Sequence, residues 1–186
     1  WRFRDGRTEP NTLNRAALAI RPMRGDSVLV LMNNLLYVGD TAGFVQQRIL
    51  GSAADPADTV EQIVSDAVWT ANGMLLLLRD GNAADTPRLA RWNGSRAVPI
   101  PAPASLEGRS VAALFPAPGG GAWLNTTAGL HHLEGDRWRL VLPSTGRGML
   151  VTRLIEDAAG RVVASVAGGA GPSGVWTWRG TERPRH

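Results

Sequence analysis

Short apolar runs bounded by turn residues recur along the whole chain, and helical periodicity is poor almost everywhere. Val28-Leu29-Val30-Leu31, Val60 to Val64, Val111 to Phe115 and Val151 to Ile155 each follow a proline, namely Pro22, Pro56, Pro101 and Pro143. Proline cannot donate to a ladder and suits strand ends, and β-branched runs of this length read as strands. Each Val-led run is predicted to be the innermost strand of a repeating unit. A second strand follows in each unit: Leu35 to Val38, Met74 to Leu78, Ala122 to Asn125, and Arg161 to Ser165. Leu75-Leu76-Leu77-Leu78 is apolar without alternation, as a strand is when sheets cover both of its faces. A third strand carries the aromatic residues: Phe44 to Ile49, Leu89 to Trp92, Leu130 to Leu133, and Val175 to Trp178.

The third strands end on a glycine turn, and the turns keep time. Gly6, Gly51, Gly94, Gly135 and Gly180 stand 45, 43, 41 and 45 residues apart. Asp5-Gly6 and Asn93-Gly94 suit tight hairpins that need positive φ. Ala97 to Ile100 and Trp138 to Leu142 supply fourth strands, with Ala17 to Ile20 as the counterpart after Trp1–Gly6. Four short antiparallel strands every forty-odd residues describe a propeller blade. The expected fold is all-β: a β-propeller of about four four-stranded antiparallel blades. Residues 1–22 close a preceding blade, and 28–56, 60–101, 111–143 and 151–186 are successive blades. Trp1–Gly6 aligns with Val175–Gly180, so the two ends duplicate one strand. That fits a segment of a larger, six- to eight-bladed ring, with a closed four-bladed ring as the alternative. Asp58 to Trp69 is the one stretch with a passable helical pattern, yet its register matches the other first strands.

Composition narrows the chemistry. With 44% hydrophobic and 19% charged residues the 186-residue chain is ordinary for a folded domain. Its net charge of +4 comes from arginines spread from Arg2 to Arg185 with no lysine and no dense run, which is not the gathered positive surface that nucleic acid requires. The absence of cysteine excludes disulfides and thiolate metal sites. The first residue is not Met and falls within a predicted strand, as in a piece of a longer protein.

Gly121-Ala122-Trp123-Leu124-Asn125-Thr126-Thr127-Ala128-Gly129-Leu130-His131-His132-Leu133 resembles the repeat of the two-component regulator propeller family. Gly121, Trp123, Thr126, Gly129, Leu130 and Leu133 fall in step with it. Glu156-Asp157-Ala158-Ala159-Gly160-Arg161-Val162 is similar to the opening of that repeat, and Leu36 to Phe44 carries Tyr37 near the Trp position. The unit from Val64 to Arg79 is the most degraded. The resemblance implies the extracytoplasmic sensing part of a bacterial membrane-bound signalling protein, with a membrane-anchored output domain elsewhere in the full-length product. It implies a structural role for the motif: Trp123 as a wedge between blades, Thr126 bonded to backbone, Gly129 and Gly43 at turns. The localisation implied is periplasmic or extracytoplasmic, with a cytoplasmic one as alternative.

No nucleophile-elbow motif accompanies any serine. His131 and His132 are adjacent on a predicted strand, so they point to opposite faces and do not chelate one ion; His186 stands at the end. Asp80 to Asp85 lacks the ligand spacing of a calcium loop, and Arg24-Gly25-Asp26 reads as a turn. Gly119–Gly121 and Gly168–Gly171 precede no helix, so they read as loops rather than phosphate cradles. No catalytic residue, metal site or cofactor is assigned. The expected role is non-catalytic binding of a small molecule, carbohydrate or protein partner; the alternatives are an interaction scaffold and a propeller lyase or hydrolase. Propeller ligands sit on loops beside the innermost strands, here Arg24 to Ser27, Leu106 to Ser110 and Ser144 to Gly148, which nominates Arg109 and Arg147. Trp176 and Trp178 share one strand face and are the candidates for stacking on a sugar.

Overall fold

The computed structural model describes residues 2–4, 7–9, 19–23, 26–32, 35–40, 42–47, 63–79, 87–92, 96–106, 113–144, 149–168, 173–180 and 182–186. Its strands fall into a short hairpin and four sheets, every pairing antiparallel. The hairpin joins β1 (Arg2–Arg4) to β2 (Arg7–Glu9), with Arg4 opposite Arg7. The first sheet contains β3 (Ala19–Pro22), β4 (Val28–Met32), β5 (Leu35–Asp40) and β6 (Gly43–Gln47), in that order. The second contains β7 (Ile63–Thr70), β8 (Gly73–Arg79), β9 (Arg88–Trp92) and β10 (Ala97–Pro99). The third contains β11 (Ala113–Pro116), β12 (Ala122–Thr126), β13 (Gly129–Glu134) and β14 (Arg137–Pro143). The fourth contains β15 (Met149–Glu156), β16 (Arg161–Gly168) and β17 (Gly174–Arg179), and Thr177 forms an isolated antiparallel bridge with Arg185. The only helical elements among the described residues are two 3-10 turns, Ala104–Leu106 and Pro118–Gly120.

The chain is therefore all-β, and its consecutive sheets are compatible with propeller-like blades. Asp58 to Trp69 contributes a strand, not a helix, over its described part. The first sheet differs from expectation, because Val28–Met32 lies second in its order rather than first and the next two strands shift with it. Ala19–Pro22 pairs with β4, Ile20 opposite Val30, and so joins the first sheet, while Arg7–Glu9 takes the place beside Arg2–Arg4. Pro22 at the end of β3 lies on the sheet edge, where no ladder donor is required. Gly51 and the fourth strand expected after it lie outside the described residues.

Three apolar clusters lie between successive sheets. Leu29, Leu31 and Leu36 meet Ala67, Met74, Leu76 and Leu78; Leu75, Leu77 and Leu89 meet Leu114, Leu124 and Leu133; Trp123, Leu130 and Leu142 meet Val151, Val162, Ala164 and Trp178. The four leucines of β8 thus alternate between two interfaces, and all are buried. Full burial of each such side chain contributes about 1.5–3 kcal/mol, well above the roughly 0–1 kcal/mol of an exposed ion pair. Stacking of sheet on sheet is what holds the chain together.

Polar groups fix how the sheets meet. β7 carries a bulge at Ser65, whose hydroxyl donates to the Leu77 carbonyl at 3.0 Å. Beside it Asp66 is buried; its carboxylate accepts the Ala67 N–H at 2.9 Å and, across the interface, the Leu114 N–H of β11 at 2.8 Å. β15 repeats the bulge at Thr152, whose hydroxyl reaches the Ser165 carbonyl at 3.3 Å. At the hairpin end of the sheets, the Ala71 N–H donates to the Gly120 carbonyl at 2.7 Å. Gly120 has φ of 82°, and a Cβ there would collide with the Ala71 backbone, so this contact requires glycine. Gly129, with φ of 135°, likewise leaves no room for a Cβ beside the Leu142 carbonyl. Thr126, fully buried, donates to the Gly129 carbonyl at 3.3 Å and accepts the Ala128 N–H at 3.2 Å, so its hydroxyl closes the turn as the motif implied.

Replacing Asp66 by Ala strands the Leu114 N–H in an apolar interface, which costs about 1–3 kcal/mol. Urea denaturation is expected to show that loss for Asp66→Ala and a smaller one for Asp66→Asn, which keeps an acceptor oxygen. Equal stability of Asp66→Ala and the parent would dismiss the bridge.

Candidate functional site

Antiparallel pairing puts the β7–β8, β11–β12, β13–β14 and β15–β16 connections at one end of the stack. A cavity of about 290 Å³ opens there, across the second, third and fourth sheets. The β7–β8 hairpin supplies Thr70, Ala71 and Asn72, and β9 supplies Arg91. The 118–121 turn forms the floor, His132 to Gly135 form one wall, and Glu156 closes the far side.

Charge is distributed unevenly around it. Arg91 donates to the Asp136 carboxylate at 3.0 Å, to the Asn72 carbonyl at 2.9 Å and to the Thr70 hydroxyl at 3.3 Å. Glu134 accepts from Arg139 Nε at 2.7 Å and lies 3.4 Å from His132 Nδ1. The Arg139 hydrogen bond holds the Glu134 carboxyl below the usual carboxylate range, with His132 adding to the effect. At the neighbouring turn, the Arg161 backbone N–H and then its guanidinium lower the pKa of Asp157. Trp123, 2% exposed, donates its indole N–H to Glu156 Oε2 at 2.7 Å and has its ring against the His132 imidazole, centroids 4.3 Å apart. Charge on the acceptor makes that N–H bond stronger than a neutral one, and it ties the third sheet to the fourth.

The two adjacent histidines face opposite ways. His132 shares its face with Trp123, whereas His131 is buried on the other side, opposite Leu124. Among the described residues no group of three His, Cys, Asp or Glu side chains is placed to hold a metal ion.

Of the nominated ligand residues, Arg109 and Arg147 lie outside the described residues, as do Arg24 and Gly25. Trp178 is 4% exposed and edge-on to Trp123, 5.7 Å between centroids, so its ring face is spent on the core and none is left for a sugar. Trp176 is half-buried, with His186 5.4 Å away at a steep angle. The sequence reading missed Arg91, His132 and Glu156 as neighbours. The one signal that pointed at this end was the repeat motif itself, which brings Trp123 and the Glu156-Asp157 opening into successive units.

No family model matches the chain, and no curated protein matches it in sequence. Its fold has counterparts among solved structures. Two structures of the extracellular domain of BT4673 from B. thetaiotaomicron, described in one as a proposed hybrid two-component system and in the other as a proposed one-component system, superpose with TM-scores of 0.58 and 0.60. Both are 14% identical and cover 90% and 100% of this chain, but 21% and 23% of their own. The chain thus spans about a fifth of the length of those structures, and the likeness is one of fold.

Burial lowers the pKa of His131 below 6.5, outweighing its backbone hydrogen bonds near Gly129 and Leu124. A depressed folded-state pKa means that the unfolded chain takes up the proton first. The stability His131 contributes is therefore complete above pH 6.5 and is lost as pH falls below it. Urea midpoints measured between pH 7.5 and 5.5 are expected to fall for the parent and to fall less for His131→Leu; identical slopes would remove His131 as the cause.

Proposed function

We propose that this chain is a segment of a β-propeller in the extracytoplasmic sensing part of a bacterial signalling receptor, and that it binds a ligand without transforming it. The observation that carries this reading is the fold likeness to extracellular domains of a signalling system, which takes in nearly all of this chain while using about a fifth of theirs. The residues Gly121 to Leu133, with their resemblance to the two-component regulator repeat, support it from the sequence side.

The outward face of the fourth sheet supports a ring larger than four blades. Trp178 and Val162 pair facing the third sheet, as Leu133 and Ala122 pair facing the second. One residue along, Val163 therefore corresponds to Trp123 and Val175 to Leu130. Trp123 and Leu130 are covered by the fourth sheet, whereas Val163 is 40%, Val175 57% and Ile155 71% exposed. An apolar sheet face of this kind is an incomplete interface, and a further blade of the same repeat, in a ring of six to eight, completes it. Binding is favoured over catalysis because Arg91, Glu134 and Glu156 are engaged in ion pairs or sheet-to-sheet hydrogen bonds rather than poised beside a nucleophile.

The location is testable because this segment has no cysteine of its own. Thr127 is exposed at the tip of the β12–β13 turn. With Thr127→Cys in the full-length gene product, intact cells opened only at the outer membrane are expected to react with a membrane-impermeant maleimide beyond the level of the parent. Labelling that appears only after the inner membrane is lysed would place the segment in the cytoplasm and end the sensing proposal.

A further inference from the structure

The sensing reading leaves the ligand unspecified, and the charges around the cavity narrow it. Arg91 has both terminal nitrogens committed, one to Asp136 and the other to the Asn72 carbonyl and the Thr70 hydroxyl. Glu134 is neutralised by Arg139. Glu156 is different. One of its oxygens takes the Trp123 indole N–H, and no Arg or His among the described residues forms an ion pair with it. A neutral indole donor orients the carboxylate and leaves its charge uncompensated.

A fixed, half-buried carboxylate attracts a cation more strongly than one in bulk solvent, because the local dielectric is lower. Elsewhere in the lining, Asn72 and the backbone of 118–121 supply neutral polar groups, while the Thr70 hydroxyl is taken by the Gly73 carbonyl and Arg91. A divalent metal ion is a poor match: it needs six or more oxygen ligands or a tight set of carboxylates, and no such group is present among the described residues. An anion is a poor match too, since the guanidinium that would receive it is already occupied.

We propose that this cavity binds the protonated amine of a small organic ligand, with Glu156 as its counter-ion. The proposal rests on the sensing role above and adds the ligand's chemical class. The cavity volume of about 290 Å³ suits a ligand of a few carbon atoms. Trp123 then acts as a positioning residue: its N–H holds Glu156 at the cavity wall, and its ring backs His132.

The Trp123 indole N–H resonance in a proton–nitrogen correlation spectrum reports directly on Glu156. Butylamine, 1-butanol and butyrate present the same chain with positive, neutral and negative heads. At pH 7 butylamine is expected to shift that resonance saturably, with an affinity that weakens as salt is added, and the other two are not. Glu156→Gln keeps an oxygen acceptor for the indole but removes the charge, and should weaken butylamine at least about tenfold, the loss of one charged contact. Glu134→Gln, which removes a carboxylate already paired, should cost less than about fivefold. A shift that survives Glu156→Gln, or equal losses from the two variants, would overturn the assignment. Saturation by butyrate or butanol instead of the amine would also overturn it, while leaving the cavity as a ligand site and the sensing role intact. Silence from all three would remove the cavity as a small-ligand site, with the sensing role still decided by the labelling experiment. If Glu156→Gln fails to fold, salt dependence decides: an affinity for butylamine indifferent to salt overturns the proposal.

Discussion

Each of the inner sheets in this chain is apolar on both faces, so neither can be stable without a neighbour on each side. β8 shows the constraint most plainly: Leu76 and Leu78 pack against the first sheet while Leu75 and Leu77 pack against the third. A sheet with one solvated face alternates apolar with polar residues, and β8 does not alternate. The hydrophobic term dominates the energy, but it does not set register, because apolar contact has little directional preference. Register comes from a few polar contacts that cross between sheets. Asp66 reaches the Leu114 N–H, Ala71 reaches Gly120, and the Trp123 indole reaches Glu156.

Two of those crossings, Ala71 to Gly120 and Trp123 to Glu156, lie at the cavity. Because the connections of one end converge where sheets meet, the cavity is lined by residues from three sheets, and a ligand there would touch all three at once. Such a ligand would bind differently to any arrangement in which the sheets had shifted relative to one another. Coupling of that kind requires differential affinity for two arrangements; Glu156 on the fourth sheet and the Thr70–Asn72 hairpin of the second line the cavity together.

Much of the architecture was legible because its signals are local. The glycine of Leu133-Glu134-Gly135 adopts φ of 63° in the turn between β13 and β14. His131 and His132 were separable by strand alternation alone, and the structure sends them to opposite faces. Ala19–Pro22 was misplaced because a four-residue strand carries no mark of which neighbour it joins. The site was not legible. Arg91 and Asp136 are 45 residues apart, and Trp123 and Glu156 are 33 apart; each pair meets only through the stacking of sheets. Trp178 misled for a related reason: it reads as a sugar platform by residue type, yet its register turns it into the core. Residue type suggests a role, but which interface a strand faces decides it.

The central claim is that a sheet face left uncovered here is an interface awaiting its partner. Sedimentation velocity of the 186-residue chain over a range of concentrations tests it directly. If the claim holds, the parent associates as concentration rises, and Ile155→Lys combined with Val175→Lys returns it to a monomer with an unchanged far-ultraviolet spectrum. A parent that stays monomeric at every concentration, or association indifferent to those two lysines, would contradict the claim and with it the reading of this chain as part of a larger ring.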